Sequence, residues 1–188
     1  MIRFYNSRQL SQKLGVNLAK WKRWSREFLP PDPLGGLQSG YARQYNPNEA
    51  FTVYLAGHLV AELKFTVPEA RQIMKDLSRW LVEHKFYYDF DDYAHHQHSG
   101  MENSRGCRIM IFNCGKLAER GHQYAYQIRE IQTVKKIRDG QSELHQATYA
   151  ETVLSPDETE LDSAGFLSGR VLQISMFREL FLSKLQRD

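Results

Sequence analysis

Residues 14–24 read LGVNLAKWKRW. Gly15 stands where a helix commonly closes on a left-handed residue, and Asn17 is a side chain that caps the first turn of the next helix. Behind it Trp21 and Trp24 are interleaved with Lys20, Lys22 and Arg23, so a helix begun here turns Trp21 inward and its cations outward. Upstream, Leu10 and Leu14 are spaced i to i+4, with Asn6 or Ser7 as the capping oxygen. The pattern predicts a helix over 7–14, a tight turn, and a second helix from Asn17 to about Glu27, stopped by Pro30, Pro31 and Pro33. Two short helices joined by a tight Gly-containing turn form a helix-turn-helix.

Downstream, LGGLQSGYARQY (34–45) sets Gly35, Gly36 and Gly40 beside Tyr41, Arg43 and Tyr45. The glycines permit a tight two-stranded excursion, and the aromatic and basic side chains suit a phosphate track, so the stretch is expected to form a wing. Asn46-Pro47 restarts a helix to about Glu62, with an apolar stripe of Phe51, Tyr54, Leu55, Leu59 and Leu63. FTVPEARQ starts another, in which Ile73, Leu77, Trp80 and Leu81 recur at helical spacing up to about Lys85.

The character then changes. Residues 85–106 have no helical period and are rich in Asp, His, Ser and Gly, as a loop or boundary is. RIMIF (108–112) is β-like, and 123–137 and 142–154 are Tyr/Ile/Val/Thr-rich runs with Asp139-Gly140 between them, a hairpin signal. An acidic connector leads to a short strand and a last helix, where Phe177, Leu180, Phe181 and Lys184 fall at i, i+3, i+4 and i+7. The fold class is α+β: a winged helix-turn-helix with following helices over 1–85, then a smaller α+β domain with a long β-hairpin over 86–188.

Charge follows the same division. Residues 1–46 hold eight Lys/Arg against Glu27 and Asp32, whereas 86–188 hold 12 Lys/Arg against 15 Asp/Glu. A basic head on a mildly acidic body is the distribution of a nucleic-acid-binding module joined to something else. The longest apolar stretches are shorter than the ~20 residues that span a bilayer, and MIRFYNSRQL has no apolar signal core. Two cysteines do not staple a chain of 188 residues, which suits a reducing cytoplasm.

Taken in order, Phe4-Tyr5, Leu10, Leu14-Gly15-Val16, Asn17, Trp21-Lys22, Trp24, Arg26, Leu29 and Pro31, then Gly40-Tyr41, Arg43-Gln44-Tyr45 and Asn46-Pro47-Asn48-Glu49, and later FTVPEARQIM, make residues 4–80 similar to the MerR family of bacterial winged helix-turn-helix regulators. Lys22, Trp24 and Ser25 stand where that family has Arg, Tyr and Glu, and Ala42 is an extra residue between Gly-Tyr and Arg-x-Tyr. The family's long dimerisation helix has no counterpart beyond Lys85. The resemblance implies a homodimer that binds a pseudo-palindrome in double-stranded DNA and regulates transcription by bending or untwisting it.

In that arrangement the recognition helix enters the major groove; Asn17, Leu18, Lys20 and Lys22 are the best placed by number, with Lys20 assigned to base edges and Lys22, Arg23 and Arg26 suited to phosphates. Tyr41, Arg43 and Tyr45 of the wing would grip the backbone or an adjacent minor groove. Trp21 and Trp24 are expected to anchor the helix in its own core.

The second half is expected to serve oligomerisation, sensing of a small-molecule or protein effector, or partner contact. Cys107 and Cys114, with His95, His96, His98 and His122, invite a metal-sensor reading. A strand of seven residues, however, spans about 23 Å and sets its two ends on opposite faces, so buried apolar thiols are the expectation and no metal is assigned. A pocket lined by Tyr124, Tyr126 and Tyr149 competes with cross-strand packing of the same rings, which is the simpler expectation. No phosphate-cradling glycine motif, HExxH or Gly-x-Ser-x-Gly is present, so neither an enzyme nor a cofactor is expected. Two alternatives of other classes remain: a protein-interaction adaptor using the winged fold as scaffold, and an excisionase-like architectural protein that bends DNA.

Overall fold

A computed structural model describes residues 4–32, 42–87, 106–113, 124–139, 142–154 and 168–186. The chain divides into two compact units, one of Met1–Gln97 with Arg178–Asp188 and one of His98–Phe177. The fold is mixed α+β, with a four-stranded antiparallel sheet in the second unit.

The first unit opens with strand β1 (Tyr5–Asn6) and helix α1 (Ser7–Leu14). Asn6 caps α1 by a reciprocal box: its side-chain oxygen accepts from the Arg8 and Gln9 amides, and the Gln9 side chain accepts from the Asn6 amide at 2.8 Å. Gly15 ends the helix at φ 69°, a backbone region that costs an L side chain energy. The Ser11 hydroxyl donates to the Val16 carbonyl at 2.6 Å and pins the turn. Asn17 then opens α2 (Leu18–Phe28), accepting from the Ala19 and Lys20 amides at 2.9 and 3.3 Å.

The segment 33–41, where the wing is expected, lies outside the described residues. Strand β2 (Gln44–Tyr45) follows it and pairs antiparallel with β1, Tyr5 opposite Tyr45. That pairing was not anticipated in sequence, because two residues are too few to show an alternating pattern.

Helices α3 (Pro47–Ala61) and α4 (Val67–Glu83) both begin with a capping box and a proline in the first turn, Asn46 with Glu49 and Thr66 with Glu69. Helix α3 is buried more widely than a single stripe, through Ala50, Phe51, Val53, Leu55, Ala56, Gly57 and Leu59. Against it, the Trp24 ring lies so close to Gly57 that an added Cβ would sit 2.3 Å from the ring.

The last helix, α5 (Ile174–Gln186), belongs to the first unit from Arg178 onward. There Phe181 packs edge-on against Phe51 at 5.2 Å, and Arg178 donates to the Phe86 carbonyl. Its buried apolar positions are Ile174, Phe177, Phe181 and Leu185. Leu180, placed in the apolar stripe by spacing, is instead 45% exposed. The i, i+3, i+7, i+11 series tracks a helix face as well as the shorter series does, and tertiary packing selects it.

In the second unit, β3 (Arg108–Asn113), β4 (Tyr124–Asp139), β5 (Ser142–Leu154) and β6 (Gly169–Leu172) pair in the order β5-β4-β3-β6, all antiparallel. Asp139 pairs with Ser142, so the two long strands form the hairpin expected from Asp139-Gly140. A register shift between Ile131 and Thr133 marks a bulge in β4. One face of the sheet carries Ile109, Ile111, Tyr124, Tyr126, Ile128 and Leu172, each at most 2% exposed. The start of α5 is tied to the start of β3, with the Cys107 amide donating to the Ser175 hydroxyl at 3.0 Å.

Candidate nucleic-acid interface

Helix α2 has two chemically distinct sides. Trp21 and Ser25 are buried, Trp24 and Phe28 half-buried, and Ala19, Lys20, Lys22, Arg23 and Arg26 exposed. At roughly 100° per residue, Ala19, Lys22, Arg23 and Arg26 share one outward stripe, and Lys20 flanks it. Among the described residues none of these four cations forms an ion pair. The helix therefore presents an uncompensated positive ridge opposite its apolar anchor.

The anchor is built from aromatic packing and buried hydroxyls. Trp21 is fully buried and meets Tyr45 edge-on, with ring centroids 5.7 Å apart. The Tyr45 hydroxyl donates to the buried Ser25 hydroxyl at 2.9 Å and lies 3.1 Å from that of Ser7. One phenol thus joins α1, α2 and β2. On the far side, Arg71 of α4 donates to the Glu27 carbonyl at 2.8 Å and pairs with the Glu27 carboxylate, so a cation meets the carbonyl end of α2.

This geometry redistributes the sequence-assigned residues. Lys20, Lys22, Arg23 and Arg26 come together on the outward side of one helix. Asn17 is at the helix start, but its side-chain oxygen is engaged in capping, and Leu18 is half-buried.

Tyr45, assigned to the wing's grip on the backbone, is 2% exposed and faces the core instead. Arg43, assigned with it, is a structural residue. Its guanidinium donates to the Pro30 carbonyl at 2.8 Å and to Glu49 at 3.3 Å, and lies over the Tyr45 ring. A planar fork suits one carbonyl and one carboxylate at once, so Arg43 ties together the chain on either side of 33–41. Tyr41 lies outside the described residues.

For the metal reading, Cys107 is 4% exposed and its thiol is pushed up to about 12, first by burial and then by Glu130. A thiol held protonated is a poor ligand, since metals bind the thiolate. Cys114, His122, His95, His96 and His98 lie outside the described residues. Tyr124 and Tyr126 are buried on one face of the sheet, whereas Tyr149 stands on the other, paired with Ile131. The three phenols therefore do not line one pocket, because residues an odd number apart on a strand face opposite ways.

Sequence reasoning missed a cleft of about 420 Å³ in the first unit, lined by Phe28 of α2 and the following Leu29, Thr52 of α3, and Arg71 and Met74 of α4 among others. Nothing local marks it, because its walls come from three helices. Among the described residues no helix is long and apolar enough to cross a membrane. No protein-family profile, curated protein or solved structure matches this chain.

Proposed function

We propose that this chain is a sequence-specific double-stranded-DNA-binding transcriptional regulator of MerR-like type, acting in the cytoplasm as a homodimer. In this reading α1 and α2 form a helix-turn-helix, α2 enters the major groove, and the segment before β2 is the wing. The observation that carries it is the α2 ridge: Lys22, Arg23 and Arg26, flanked by Lys20, exposed and, among the described residues, without ion pairs, on a helix locked from behind by Trp21 and the Tyr45–Ser25 hydrogen bond. A fixed helix with cations on its free side suits a polyanion, because orientation has been settled before binding. Arg43 and Tyr45 support the site by holding the base of the wing segment, and contact no DNA.

Selection from randomised duplexes, followed by titration over a range of salt, tests the reading. The expected result is an enriched inverted repeat whose affinity falls steeply with salt. Replacing Lys22, Arg23 or Arg26 by Ala would weaken binding to all sequences alike and lower the salt slope by about one each, whereas Lys20→Ala would relax preference at one base pair. Binding insensitive to salt and to all four substitutions would sink the proposal. It would favour the interaction-adaptor reading, which draws on four exposed apolar side chains of the second unit, Val134, Tyr149, Val153 and Val171.

A further inference from the structure

Those four side chains fall on one face of the sheet. By register Val171 lies beside Met110, Met110 beside Gln127 and Gln127 beside Val153. Tyr149 pairs with Ile131 and Val134 with Ala147, which the bulge in β4 returns to the same face. They are 47% to 53% exposed. Strand β5 is also an edge: β4 covers one side, and among the described residues no strand covers the other. Among the described residues β4 pairs from Glu130 onward with β5 alone, since its pairing with β3 stops at Arg129. A long edge strand is a template for another strand.

Edges are ordinarily blunted by charge, and this one is not along its middle. Between Glu143 and Glu151 the strand reads LHQATYA, without Asp, Glu, Lys or Arg. Thr148 is the midpoint of Ser142–Leu154. When the strand pairs antiparallel with a copy of itself about that midpoint, all its residues overlap. His145 then faces the partner's Glu151, Ala147 faces the partner's Tyr149, and Glu143 faces the partner's Val153. No like charges meet, and the faces that carry Tyr149 and Val153, with the Arg129–Glu151 ion pair between them, become continuous across the two sheets. Such a contact is isologous and closes at two copies, whereas pairing β5 with the opposite edge strand β6 would continue into a fibre.

We infer that β5 is the homodimer seam, joining two four-stranded sheets into one of eight strands about a two-fold axis at Thr148. The inference does not rest on DNA binding, and its test reads association alone.

The full chain is examined by sedimentation velocity at micromolar concentration, beside the double variant Ala147→Lys/Tyr149→Lys and the variant Val171→Lys. Position 171 is as exposed as Tyr149 but lies on the other edge strand. The expected result is a dimeric parent, at least ten-fold weaker association in the double variant, and an unaffected Val171→Lys. A monomeric parent, a double variant that still dimerises, or dissociation by Val171→Lys overturns it. Should the double variant misfold, Thr148→Cys decides. At the two-fold axis this residue opposes its own copy with Cα atoms about 4.5–5.5 Å apart, inside the range for a disulfide. Mild oxidation should cross-link Thr148→Cys, and not the parent, into a covalent dimer. Failure to do so equally overturns the seam.

Discussion

The Lys184 ammonium donates to the Leu14 carbonyl at 2.9 Å and to the Tyr54 hydroxyl at 3.2 Å, across sequence separations of 170 and 130 residues. Leu14 is the last residue of α1, just before the Gly15 turn that sets the direction of α2. The bond satisfies one of the carbonyls a helix end leaves without a partner, with a cation where the helix dipole favours one. The end of the chain thus steadies the turn that aims the basic ridge.

Replacing Lys184 with Met keeps the apolar stem and removes the donor. The loss should destabilise the first unit by about 1 kcal/mol, the ordinary net worth of one hydrogen bond. Urea denaturation followed by tryptophan fluorescence measures it. Unchanged stability would show that water replaces the ammonium at Leu14 without loss.

Gly57→Ala poses a contest between two effects. In a helix interior the change gains about 1 kcal/mol of propensity, but the new methyl meets the Trp24 ring, with its nearest atom 2.3 Å away. Overpacking of this kind costs about 1–3 kcal/mol, and a ring wedged between two helices has little room to give. The single variant should therefore be destabilised. In a Trp24→Leu background the same change should become neutral or stabilising, a coupling that a double-mutant cycle isolates.

The His58 imidazole, on α3, is held below its ordinary value by burial, partly offset by the nearby Glu62 carboxylate. The unfolded chain therefore binds this proton more readily than the folded one, and stability must rise with pH. Stability from this group is complete above the unfolded value of about 6.5 and declines as pH falls through and below it. Denaturation midpoints of the parent should fall between about pH 7.5 and pH 5.5, and His58→Gln should flatten that part of the profile. An equal decline in the variant would assign the effect to other groups.

The sequence by itself determined the helix boundaries and the hairpin. Asn6, Gly15, Asn17, Asn46 and Thr66 act on amides within three residues or on their own backbone, so their roles follow from spacing alone. Asp139-Gly140 between two β-rich runs marks the hairpin by the same short-range chemistry. The clustering of Lys22, Arg23 and Arg26 on one side of α2 was also legible, because helical period needs no information from elsewhere.

Tertiary structure alone decided what each amphipathic side chain does. Arg43 and Tyr45 read in sequence as surface ligands, yet the carbonyl of Pro30, the carboxylate of Glu49 and the hydroxyl of Ser25 draw them inward. Leu180 is left outside while Lys184 reaches in. The long stems of Arg, Tyr and Lys bury as readily as their polar tips bind. The outcome therefore depends on which unsatisfied group packing brings within about 3 Å, and local spacing carries no record of that partner.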